Sequence, residues 1–205
     1  MREWFDELPE LGMLLSPIGW RKPWCPLYAC DNDAFANRGD SGWWDREGES
    51  RWLKMLDKVS AQEHKPVFVL LPDVVGDWDR TIERAWSYRS RVTERRLTPA
   101  LALQDGCRVE QARTIPVDWW FIGGSREWKW SDGINLVSDG HHLGRKVHIG
   151  RVGGLSTLQK AYCSGADSCD GSTWQRFSRR EMPILRDFLK GVRNGEGRED
   201  GNCLR

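Results

Sequence analysis

The chain has 205 residues, 30% of them charged, with 31 basic against 30 acidic side chains and a formal net charge of +1. That length supports one domain with a sizeable core, and it is short for a barrel of eight strand–helix units, which takes ~250 residues. The near balance of charge removes any global electrostatic argument for nucleic acid, and no apolar run approaches the ~18 residues of a membrane span.

No secretory leader is visible at Met1-Arg2-Glu3-Trp4, so a cytoplasmic protein without membrane contact is expected. The six cysteines contain no CxxC pair and read as free thiols. Thirteen tryptophans are many. Most read as core, and a few near strand tips have the right chemistry to stack on bases.

In chain order, residues 12–18 (GMLLSPI) read as a first strand and 20–26, with two prolines, as a loop. Residues 27–30 form a second strand that ends in Asp31-Asn32-Asp33-Ala34-Phe35. The polar stretch 36–48 reads as a loop. Residues 49–62 form a helix with Trp52, Leu53, Leu56 and Val59 on one face. The run 66–71 (PVFVLL) is continuous and β-rich, as a strand buried on both faces should be, and it ends in Pro72-Asp73.

Residues 77–96 form a long helix with Trp78, Ile82, Ala85 and Val92 inward. Its outer row of Arg80, Arg84, Arg91, Arg95 and Arg96 reads as a solvated face before it reads as a nucleic-acid contact. Residues 99–103 are a strand ending in Gln104-Asp105-Gly106; 107–113 a short helix; 117–122 a strand; 125–130 a turn; 135–143 a helix; 146–152 a strand; 154–164 a helix; 166–169 the last strand. A helix over 177–192, containing Pro183, closes a domain over 1–193, followed by a flexible tail at 194–205. Seven strands alternate with helices at crossover spacing, and an eighth is sought in 36–48 or at the N-terminus.

Five signals fall at successive strand ends: Asp31, Asp73, Gln104, the pair Gly123-Gly124, and Asp170. In a strand–helix barrel such ends share one face. Each also has a plainer reading. Asp31 can close an Asx-turn, and Asp73 can cap the helix beginning near Asp77. The planar amide of Gln104 offers a donor and an acceptor to a purine edge. The glycines let backbone approach a flat ligand where a Cβ would block it. Asp167 is the alternative carboxylate at the last tip. His141-His142 face different ways on a helix and do not read as a metal pair.

The segments FIGGSREW, VHIGRV and GADSCDG, in this order, resemble the guanine transglycosylases. The likeness is closer to the phage DNA-guanine transglycosylases, which put 7-deazaguanine bases into DNA, than to the tRNA-guanine enzymes. The resemblance implies an α/β fold, a compact TIM-like (β/α)8 barrel with trimmed or missing elements. It implies Asp170 as nucleophile and Asp31 as general acid/base, with Asp73, Gln104, Gly123 and Gly124 holding the base edge and Phe35 stacking on it. Asp33 stands where the family has a small residue. The tRNA enzymes carry a zinc site of three cysteines and a histidine near the C-terminus. Here only Cys203 lies beyond Cys169 and no histidine lies beyond His148. No metal and no cofactor is therefore expected, and DNA is expected over tRNA. Arg126, Lys129, Arg145, Lys146 and Arg151 are expected around the strand tips as phosphate contacts.

Overall fold

The computed structural model describes residues 2–194, so the predicted tail lies, apart from Asn194, outside the described residues. Seven strands are formed: β1 Met13–Leu15, β2 Tyr28–Cys30, β3 Val69–Leu70, β4 Pro99–Leu103, β5 Trp119–Ile122, β6 Lys146–Ile149 and β7 Ser168–Cys169. They make one sheet in the order β1-β2-β3-β4-β5-β6-β7, each neighbouring pair parallel. The helices among the described residues are α1 Arg2–Glu7, α2 Glu49–Ser60, α3 Trp78–Thr93, α4 Val109–Ala112, α5 Arg126–Ser131, α6 Leu136–His142, α7 Leu155–Cys163, α8 Ser172–Arg176 and α9 Ser178–Arg193.

Side chains alternate along every strand, as the two-residue repeat requires. Tyr28, Cys30, Val69, Leu71, Leu101, Leu103, Trp120, Ile122, Val147 and Ile149 belong to the core under the helices. Ala29, Phe68, Leu70, Ala100, Ala102, Trp119 and Phe121 pack together on the other face. The adjacent pair Trp119-Trp120 thus serves both faces. Trp43-Trp44 does not lie in a strand. It packs with Trp52 and Tyr88 under α2 and α3.

The sheet is curled. Phe68, beside β3, has its ring 5.1 Å from Trp119 on β5 and 5.2 Å from His148 on β6. Three strand spacings across a flat sheet would separate β3 from β6 by about 14 Å. The small residues Ala29, Ala100 and Ala102 leave room inside the curl for the rings of Phe68, Trp119 and Phe121. Among the described residues, β1 and β7 do not pair with each other. Across this side run ion pairs from α9 to the N-terminal segment, Arg193 to Glu10 and Arg186 to Glu7.

Several expectations are corrected. No eighth strand exists in 36–48 or at the described N-terminus. Trp44–Gly48 is a single π-helical turn leading into α2, and the described residues begin with α1. The predicted turn at 125–130 is a helix, because the Ser125 hydroxyl caps it by accepting from the Trp128 N–H. The run 66–71 is buried from Phe68 onward, but its ladder is short, since Pro66 and Pro72 have no N–H to give. Cys25, Cys30, Cys107 and Cys169 are free thiols, whereas Cys163 enters a disulfide that the cysteine spacing did not signal. No helix among the described residues is long and apolar enough to cross a membrane.

Candidate active site

The C-terminal ends of the strands converge on one mouth, and three of them are tied by a buried polar network. Asn32, just beyond β2, donates from Nδ2 to the Leu71 carbonyl at 2.7 Å and to Asp73 Oδ1 at 2.6 Å. Gln104, just beyond β4, donates from Nε2 to Asp73 Oδ2 at 2.5 Å. Its Oε1 accepts from the N–H groups of Gly76 and Gly124 at 3.1 and 3.0 Å. All three side chains are buried. Asp73 is therefore not the helix cap. That role belongs to Asp77, whose carboxylate accepts from the Arg80 N–H. Burial pushes the Asp73 carboxyl up to about 6, against the hydrogen bond from Asn32 and the charge of Arg84.

Asp31 stands at the tip of β2, its Oδ1 accepting from the Asn32 N–H at 2.7 Å. Burial, then the carboxylates of Asp170 and Asp73, push its carboxyl up to about 7. β2 and β7 are five strand spacings apart, about 24 Å on a flat sheet, too far for a strong coupling. That Asp170 acts on Asp31 is a consequence of the curl. Asp33 is not a second free carboxylate. It adopts a left-handed φ of 63°, which Asp tolerates, and its Oδ2 accepts from the Ile18 N–H at 2.7 Å.

Asp170 follows β7. Its Oδ1 accepts from His148 Nε2 and from the Arg151 N–H, both at 3.1 Å. His148 is buried, stacked on Phe121 at 4.7 Å, with Nδ1 2.8 Å from the Ser168 hydroxyl. With Nε2 donating to Asp170, Nδ1 is the acceptor for the Ser168 hydroxyl. Asp167, the alternative carboxylate, stands apart from these groups. It precedes β7, at the opposite end, where Oδ2 accepts from the Val147 N–H and pairs with His141. His142 lies within hydrogen-bond reach of the Ser138 hydroxyl instead, at 3.4 Å.

Gly123 and Gly124 line the mouth beside Gln104. A Cβ on Gly124 would collide with the Trp128 ring and lie 2.7 Å from Asp105 Oδ2, and its φ is +65°. Their N–H groups are already used, by the Leu103 carbonyl and by Gln104. The Gly124 carbonyl accepts from the Arg151 guanidinium. Phe35 is partly exposed at the rim, with the guanidinium of Arg151 3.9 Å and that of Arg38 4.2 Å from its ring centre.

The expected phosphate contacts divide. Arg126 and Arg151 lie on the mouth side. Arg145 and Lys146 do not: they open β6 at the far end, where Arg145 donates to the Val117 carbonyl and Lys146 lies over Trp119. Sequence proximity placed them with the tips, but the four-residue strand separates them. Lys129 is on the mouth side but buried, its Nζ donating to the Gly150 carbonyl. Burial and then the Arg151 charge bring its ammonium down to about 7, with Asp170 opposing.

Sequence pattern alone gives Asn32 and His148 no role. Asn32 sits inside the D-N-D run and His148 inside VHIGRV, so position in a motif was the available signal. No family model matches the chain, and no curated protein matches it.

Proposed function

We propose that the protein is a base-exchange transglycosylase that replaces guanine in DNA with a 7-deazaguanine base. The observation that carries this reading is the pairing of unlike carboxylates across the mouth. Asp31 is buried with its carboxyl pushed up to about 7, while Asp170 accepts from two donors, His148 Nε2 and the Arg151 N–H, that fix its orientation. The curled sheet is read as a TIM-like barrel lacking one strand–helix unit, the fold that gathers strand ends into one site.

Asp170 attacks the anomeric carbon, the bond from that carbon to guanine breaks, and Asp31 gives its proton to the departing base. The sugar stays attached to Asp170 and the polymer backbone stays intact. The incoming base then attacks the same carbon, loses its proton to Asp31, and releases Asp170. Asp73 accepts from the base edge, held in place by Asn32 and Gln104. Gln104 acts mainly through Asp73, because its own oxygen is occupied. Phe35 supplies the stacking face once Arg151 yields it. The target guanine must leave any duplex stack to reach the mouth.

The motif spelling favours DNA over tRNA. The test is the nucleoside composition of DNA from cells that express the protein and are supplied with deazaguanine. Deazaguanine nucleoside in DNA is the expected result. Its presence in tRNA alone would replace this reading with the tRNA one, and its absence from both would leave a base-binding module without catalysis.

A further inference from the structure

A cleft of about 450 Å³ lies beside the carboxylate mouth, lined by Arg126, Lys129, Arg151, Gly154, Ser156 and Thr157 among others. Three basic side chains from two elements, α5 and the loop after β6, meet in this one concavity, and no carboxylate is among the described residues that line it. Lys129 is almost completely buried there, and its bond to the Gly150 carbonyl uses one of three N–H donors. The depressed proton affinity of its ammonium fits a cation buried without a full counter-charge.

The facing wall is the first turn of α7. Its N-cap is Gly154, in extended backbone, and no side chain caps the turn. The Thr157 hydroxyl points back to donate to the Gly154 carbonyl, so it does not take the cap role either. Uncapped first-turn N–H groups and a helix dipole add to the three basic side chains, and all favour an anion.

We infer that this cleft is a phosphate-binding site, and that it takes the phosphodiester beside the nucleotide whose sugar Asp170 attacks. This rests on the transglycosylase reading. Arg126 supplies charge, Lys129 its remaining N–H donors, and the α7 first turn backbone donors. Arg151 links the two sites, since its N–H donates to Asp170 and its side chain lines the cleft. A phosphate held there fixes the register of the sugar against the nucleophile, a positioning role.

The test uses amide NMR of the full protein with three probes: inorganic phosphate, a short single-stranded DNA with one guanine, and the same DNA with one phosphodiester beside that guanine made a neutral methylphosphonate. Both the phosphate and the DNA should shift the amides of Leu155, Ser156 and Thr157. The methylphosphonate should weaken wild-type binding about 10-fold, the scale of one charge-assisted hydrogen bond. Arg126→Ala, at an exposed position, should weaken the unmodified DNA by a similar factor and remove most of the methylphosphonate penalty. No shift in α7 with either ligand, or an undiminished penalty in Arg126→Ala, overturns the site. Shifts with inorganic phosphate but not DNA overturn the polymer assignment in favour of free phosphate. If DNA binds as expected but labelled guanine is never exchanged, the transglycosylase reading falls and the phosphate site stands.

Discussion

Asp31→Asn should make the protein more stable and less active, and pH should separate the two effects. The folded environment raises this carboxyl from an ordinary 3.8 to about 7. A raised carboxyl binds its proton more tightly folded than unfolded. Stability is therefore fully present below pH 3.8 and is lost as pH rises to about 7. Above that, the shift corresponds to a penalty on the order of 4 kcal/mol, reduced by whatever solvent reaches the tip. Asparagine keeps the shape and cannot ionise. Denaturant unfolding of both proteins from pH 4 to pH 8 should show a small difference at pH 4 that widens to about 2–4 kcal/mol in favour of Asp31→Asn at pH 8. Base release by the variant should fall ~10²–10⁴-fold, the usual contribution of a general acid. A variant less stable than wild type at pH 8, or a difference that does not change with pH, would show that Asp31 is ionised and stabilising in the fold. Its role as the acid would then be untenable.

Four other outcomes follow from the same geometry. Asp170→Asn keeps an oxygen to accept from His148 and Arg151, so it should unfold within ~1 kcal/mol of wild type while losing all exchange; mass spectrometry should find a protein–DNA adduct on wild type only. Asn32→Ala strands the Leu71 carbonyl, Asp73 Oδ1 and the Ala34 N–H; calorimetry should record a loss of about 2–4 kcal/mol. Gly124→Ala forces a Cβ against Trp128 at a positive φ and should cost about 2–5 kcal/mol by denaturant unfolding. His148→Gln should lower kcat about 10-fold with KM nearly unchanged, because His148 orients Asp170 without touching the base; a change in KM alone would contradict that role.

The strand tips were legible because the chain marks them with a change of chemistry. Apolar runs end abruptly in Asp31, Pro72-Asp73, Gln104, Gly123-Gly124 and Asp170, and local pattern is enough to find such ends. Partner choice is a three-dimensional matter and was not legible. Nothing in sequence ties Asn32 to Asp73, 41 positions on, or binds Gln104 so fully that its amide has little left for a base. Asp33 and Asp167 looked like spare carboxylates because their backbone partners, Ile18 and Val147, come from other strands or loops. Arg145 and Lys146 looked like tip residues because sequence distance hides which end of a strand a side chain occupies. The eighth strand was sought because seven units leave a barrel incomplete. Here Trp43 and Trp44 are needed under α2 and α3 instead, and helical backbone puts them there.

The most direct test incubates purified protein with labelled guanine and, in separate reactions, with single-stranded DNA, duplex DNA and tRNA. Label should enter DNA, with Asp170→Asn inactive in every reaction. Label entering tRNA alone, or full incorporation by Asp170→Asn, would contradict the account.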